Sequence, residues 1–168
     1  KRDVETLKVV TPLEKLDEVS SSRKKFMVEA EKIKQYSDHP HIVDVYDVFD
    51  ENETCYYTME YIEGGSLMDY VEQTETCTLQ EEEALKIIRE VASALSAMHS
   101  HRMNHLDVKP ENILMSEEGK AVLIDFGAAH KFSNDDEASS LLAITSGGFS
   151  PIEIGLIKDF SPSTDIYS

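Results

Sequence analysis

Regular apolar spacing first appears near Arg23, where Phe26, Ala30, Ile33 and Tyr36 recur at intervals of three and four. That spacing lays one apolar stripe along a helix, and Asp38-His39-Pro40 supplies its end. Residues 1 to about 22 lack such order, mixing Lys, Glu, Thr and Val around Pro12, and are expected to form a loop or an insertion. Residues 42–49 and 55–61 are rich in Val, Ile and Tyr and are joined by the polar Asp50-Glu51-Asn52-Glu53, which predicts a hairpin. Gly64-Gly65-Ser66 then breaks the chain as a linker between two packed bodies would.

A longer helix is predicted from Thr78, whose hydroxyl would cap it while Glu81 reaches back in a capping box. Glu82 and Glu83 suit the positive end of its dipole. Ala84, Ile88, Val91, Leu95 and Met98, spaced four, three, four and three apart, give its core-facing stripe. Further on, two apolar strands enclose Ser116-Glu117-Glu118-Gly119-Lys120. Glu118-Gly119 suits a two-residue turn there, because Gly accepts positive φ at little cost.

A turn centred on that pair sets Asn112 opposite Asp125. Two oxygen-bearing side chains then converge at one end of a short ribbon, which fits a hard divalent cation such as Mg2+. Just upstream, Asp107 offers a carboxylate that can orient or deprotonate a hydroxyl, and Lys109 can neutralise charge on a transferred phosphoryl group. An acid, a base and an amide clustered beside an apolar strand suit phosphoryl transfer.

Composition narrows the partners. The 168 residues, 40% hydrophobic and 29% charged, suffice for one globular domain with a core. Thirty-three acidic against 16 basic side chains give a formal charge of −17, the wrong sign for a nucleic-acid binder. The acidic surface either favours basic peptide substrates or serves solubility. Cys55 and Cys77 stand alone, without the spacing of a zinc site or a disulfide framework, so a reducing, cytoplasmic setting is expected. No apolar run approaches the roughly 20 residues that cross a bilayer.

The stretch His105-Leu106-Asp107-Val108-Lys109-Pro110-Glu111-Asn112, followed by Asp125-Phe126-Gly127, resembles the catalytic loop and metal-binding triplet of protein kinases. The likeness runs from about Arg23 to Ser168. It implies an α+β fold, part of the two-lobed kinase architecture, with residues 1–60 in the small lobe and 61–168 in the large one. It implies ATP and Mg2+ as cofactors and a protein or peptide as substrate, with a pseudokinase scaffold or a small-molecule phosphotransferase as the competing readings.

By this resemblance Asp107 is the catalytic Asp, Lys109 the phosphate-contacting Lys of Ser/Thr-directed members, and Asn112 and Asp125 the Mg2+ ligands. Glu29, with Glu31 as the competing choice, would pair with the ATP-anchoring Lys. Met59 would back the adenine pocket, the backbone of Glu60 and Ile62 would bond the base, and Leu114 would pack beneath it. Ile33, Val45, His105 and Phe126 match the apolar stack of active kinases. Ser146 and Glu153 would belong to the end of the activation segment, Ser146 bonding Asp107 and Lys109, and Asp165 would hold the catalytic loop.

The likeness also has departures. Leu106 stands where many regulated kinases carry the Arg that holds a phosphorylated activation loop, so control through such a loop is not expected. Neither a Gly-rich loop nor an apolar strand bearing the ATP-anchoring Lys is evident, and Lys1 and Lys8 are read as poor substitutes. Both ends read as cuts in a longer domain.

Overall fold

The computed structural model describes residues 6–9, 27, 30–31, 33–36, 38–52, 54–126, 129–131 and 161–168. The chain divides into two units, Lys1–Tyr61 and Ile62–Ser168. In the first, strands β1 (Thr6–Val9), β2 (Val45–Glu51) and β3 (Thr54–Met59) form an antiparallel sheet in the order β1-β3-β2. The central strand reads Thr-Cys-Tyr-Tyr-Thr-Met, β-branched and aromatic residues that fit a pleated, half-buried surface. Its Tyr56 stacks on Phe49 of β2 at 5.3 Å, directly across the ladder.

The predicted hairpin is present with a shorter turn. Asp50 pairs with Cys55 and Glu51 with Thr54, so strand pairing absorbs half of the polar link, and Asn52 turns the chain at φ 50°. Asn tolerates that left-handed conformation better than most residues. Helical backbone at Met27, Ala30, Glu31, Ile33 and Lys34 lies between β1 and β2. Ala30, Ile33 and Tyr36 are buried while Glu31 and Lys34 are exposed, the stripe its spacing predicts. Phe26 and Glu29 lie outside the described residues.

β1 corrects the expectation of a loop over residues 1 to 22. Lys8 sits in this strand, opposite Tyr57. Only Leu7 and Val9 are apolar in it, too short a run to show a period. Pairing along β3 supplies the order that its own composition does not signal.

Among the described residues of the second unit, helices α1 (Leu67–Glu72), α2 (Glu81–Ser100) and α3 (Pro162–Tyr167) accompany four short strands. Strand β4 (Met103–Asn104) pairs with β7 (His130–Lys131), and β5 (Ile113–Met115) pairs with β6 (Ala121–Leu123). Gly64-Gly65-Ser66 is docked along β5. Gly65 accepts a hydrogen bond from Met115 N–H at 2.9 Å, Ser66 bridges to Leu114, and the Met115 carbonyl leaves no room for a Cβ at Gly64. Ser66 then caps α1 in a reciprocal capping box with Asp69.

α2 begins at Glu81, with Gln80 as its cap and no side-chain capping bond. The expected Thr78 cap is therefore not formed. Thr78 is held in the preceding turn, its N–H on Thr74 Oγ1 at 3.1 Å and its hydroxyl on Thr76. The buried face also departs from the predicted stripe, with Ala84 and Val91 only half-buried. Ile87, Ala94, Leu95 and Met98 are buried, whereas Ile88 is 61% exposed. Ile87 lies two turns before Ala94, so it falls on the same face as readily as Ile88 does with Leu95.

The β5–β6 register is one residue off the sequence expectation. Met115 pairs with Ala121 and Ile113 with Leu123, which places Ile124, not Asp125, across from Asn112, and Ile124 N–H bonds Asn112 O at 2.9 Å. The cause is a three-residue turn. Gly119 N–H bonds Ser116 O, Ser116 N–H bonds Lys120 O, and Gly119 takes φ 70°, the position such loops reserve for a left-handed residue.

Candidate functional site

The segment after β4 is organised from below by α3. Asp165, 2% exposed, accepts three hydrogen bonds. Its Oδ2 takes the His105 N–H at 2.9 Å and faces His99 Nε2 at 2.7 Å, and its Oδ1 takes the Leu106 N–H at 2.8 Å. Leu106 is buried at φ 64°, a left-handed conformation that costs roughly 1–2 kcal/mol for an L-residue other than Gly. The Asp165 carboxylate grips the backbone at the strained point, which is how such a conformation persists. The Asp165 role anticipated from resemblance is thus met by geometry, and His99 is a partner that the sequence did not reveal. Its only local signal was a polar residue beside Met98, and its partner is 66 positions away.

His105 is wholly buried. The Asp107 N–H donates to its Nδ1 at 3.3 Å, and its Nε2 lies 3.1 Å from the Ile124 carbonyl. Together these bonds select the neutral tautomer protonated at Nε2. The ring packs on Phe126 with centroids 5.1 Å apart.

Burial pushes the His105 pKa below the usual imidazole value of 6.5, against the opposing pull of Asp165. Burial and His41 lower His39 in the same direction. A lowered folded pKa means that the unfolded chain binds more protons below about pH 6.5. Stability should therefore be complete above that pH and fall beneath it, by at most about 1.4 kcal/mol per pH unit for each histidine. Urea unfolding at pH 7.5 and 5.5 measures the loss, and His105→Gln should reduce it. An unchanged pH dependence in that variant would contradict the assignment to His105.

Above this support, one turn gathers the predicted polar residues. Pro110–Asn112 forms a 3-10 turn with Pro at its start, where a missing N–H costs nothing, and it swings Asn112 back toward Asp107. Asp107 Oδ2 lies 2.8 Å from Lys109 Nζ and 2.7 Å from Asn112 Nδ2. Asn112 Nδ2 also bonds the Asp107 carbonyl at 2.8 Å. Asp107, Lys109 and Asn112 therefore form one cluster, with Asn112 6% exposed. Asp125 follows Ile124, the residue bonded to Asn112, and takes φ 58°.

The donor set fits Mg2+. Asn112 commits its amide nitrogen to Asp107, which leaves its oxygen as a hard ligand, and Asp125 carries a carboxylate of the same kind. Among the described residues there is no group of three or more His, Cys, Asp and Glu that could hold a metal ion unaided.

The other predicted residues are placed as follows. Met59 ends β3, and the Glu60 N–H donates to the Asp44 carbonyl at 2.8 Å. In the second unit Ile62 is buried and Leu114 is half-buried on β5. Glu31 is exposed. Glu29, Gly127, Ser146 and Glu153 lie outside the described residues, and the bonds expected of Ser146 with them.

Comparison with known proteins agrees with this geometry. The family model described as "Protein kinase domain" matches residues 2–168, and the chain belongs to the protein kinase family. The match extends the likeness upstream of Arg23, over β1. The chain is 33% identical over 160 residues to the probable serine/threonine-protein kinase MARK-C of Dictyostelium discoideum, covering 92% of this chain and 20% of that protein. It is 39% identical over 97 residues to the serine/threonine-protein kinase PrkC of Bacillus subtilis (strain 168), 58% of this chain and 15% of that one. With the SNF1-related protein kinase catalytic subunit alpha KIN12 of Arabidopsis thaliana it shares 32% over 139 residues, 82% and 27% of the respective chains. The chain thus spans about a quarter or less of these relatives' lengths. Among the described residues no helix is long and apolar enough to cross a membrane.

Proposed function

We propose that this chain carries the catalytic centre of an ATP-dependent Ser/Thr protein kinase. The observation that carries the reading is the Asp107 carboxylate held between Lys109 at 2.8 Å and Asn112 at 2.7 Å. Asp107 orients the acceptor hydroxyl and takes its proton as the hydroxyl oxygen bonds the γ-phosphorus and the bond to the β-phosphate oxygen breaks. Lys109 offsets negative charge on the moving phosphoryl group. Asn112 and Asp125 would hold Mg2+, which would neutralise charge on the phosphate oxygens.

The family resemblance assigns Met59, Glu60, Ile62 and Leu114 to the nucleotide, and Ser146 and Glu153 to the activation segment. To these we add Lys8 as the ATP-anchoring Lys, since it occupies a strand beside β3, with Glu29 as its acid. Lys109 and the names of the relatives support Ser/Thr hydroxyls over Tyr. The test is Mg2+-dependent transfer from ATP to a basic protein substrate, with Asp107→Asn and Asp125→Ala as the loss-of-function pair. Transfer that survives both substitutions would sink the proposal, as would transfer to aminoglycosides or sugars in place of proteins.

A further inference from the structure

Two side chains of α2, one turn apart, hold the turn end of the β5–β6 ribbon. Lys86 Nζ donates to the Gly119 carbonyl at 2.7 Å. Glu90 Oε2 accepts the Ala121 N–H at 2.8 Å. The two side chains face each other at 3.9 Å, with that of Glu90 only 14% exposed. Neither residue entered the sequence reading, because each is an ordinary polar position on an amphipathic helix.

The ladder shows why Glu90 matters. Ser116 N–H bonds Lys120 O and Ile124 N–H bonds Asn112 O, so the inter-strand bonds involve the even-numbered residues of the second strand. In an antiparallel pair the residues between them turn their N–H groups outward. Ala121 is such a residue and is wholly buried. Its N–H therefore turns away from β5, and a buried donor that loses its acceptor costs a desolvation penalty. Glu90 satisfies it with a charge-assisted bond.

A ribbon of two three-residue strands has little stability of its own. Its turn end is fixed to α2 by Lys86 and Glu90, and its open end carries Asn112 and leads into Asp125. We infer that Glu90, assisted by Lys86, is a positioning residue for the Asn112–Asp125 metal site. It sets where β6 lies along α2 and so where Asp125 stands relative to Asp107. The inference rests on the metal role given to Asp125 above.

The probe is Mn2+ binding in the presence of ADP, read by electron paramagnetic resonance, beside hydrogen exchange at the Ile124 amide. Glu90→Ala should weaken Mn2+ binding about tenfold, in line with other partners that orient metal ligands, and should speed Ile124 exchange. Glu90→Gln keeps an acceptor for Ala121 and should restore both to within about threefold. Lys86→Met, at a half-exposed site, tests the same clamp if Glu90→Ala folds poorly, and should move both readouts in the same direction. Asp125→Asn is the control. If it abolishes Mn2+ binding while Glu90→Ala leaves binding and Ile124 exchange within twofold of wild type, the positioning role is overturned. If Asp125→Asn leaves Mn2+ binding intact, the metal reading fails, and Ile124 exchange still decides whether Glu90 holds the ribbon.

Discussion

Asp165→Ala is expected to cost roughly 3–5 kcal/mol of unfolding free energy, the range for removing one partner from a buried charged network. The substitution strands the N–H groups of His105 and Leu106, both buried and both bonded to this carboxylate. Each stranded donor costs about 1–3 kcal/mol, before counting the lost His99 contact. Asp165→Asn should cost less, because an amide oxygen can still accept one of the bonds. Urea unfolding monitored by circular dichroism measures both. A loss under about 1 kcal/mol for the Ala variant would mean that the loop holds its shape without α3.

Asp107→Asn should lower kcat by about 10^2- to 10^4-fold, the range for a positioned general base, with little change in the KM for ATP. Asn is close to Asp in size, so the 3-10 turn and Asn112 should keep their places. What disappears is the proton acceptor and the charge that meets Lys109 at 2.8 Å. Steady-state kinetics on a peptide substrate separates the two parameters. A kcat within threefold of wild type would show that proton acceptance by Asp107 does not limit turnover. A fall in ATP affinity with kcat preserved would reassign the residue to binding.

The parts legible in the sequence are those whose cause is local. The Ala30, Ile33 and Tyr36 stripe, the β2–β3 hairpin and the length of α2 each follow from periods and turn residues within a dozen positions. The cluster of Asp107, Lys109 and Asn112 was legible for the same reason, since one Pro-led turn makes it. Small local alternatives defeated the finer expectations. A three-residue turn in place of two moved Asn112 from Asp125 to Ile124, and Thr74 and Thr76 drew Thr78 away from α2.

What stayed hidden depends on partners far along the chain. β1 is ordered by β3, about 50 positions away in the register. His99 meets Asp165 across 66 positions, and Glu90 meets Ala121 across 31. No period or motif within α2 distinguishes His99 or Glu90 from its other polar residues.

Leu106 bears on how such a chain could be re-engineered. Its side chain is 3% exposed, and its backbone conformation is held from beneath by Asp165. Installing Arg at this one position would bury a guanidinium where an apolar side chain now sits, which costs several kcal/mol unless the cation is paired. Leu106→Arg alone should therefore lower the melting temperature without conferring a response to loop phosphorylation. A cation at this position would need a new anionic partner installed with it, so the change takes coordinated substitutions rather than one.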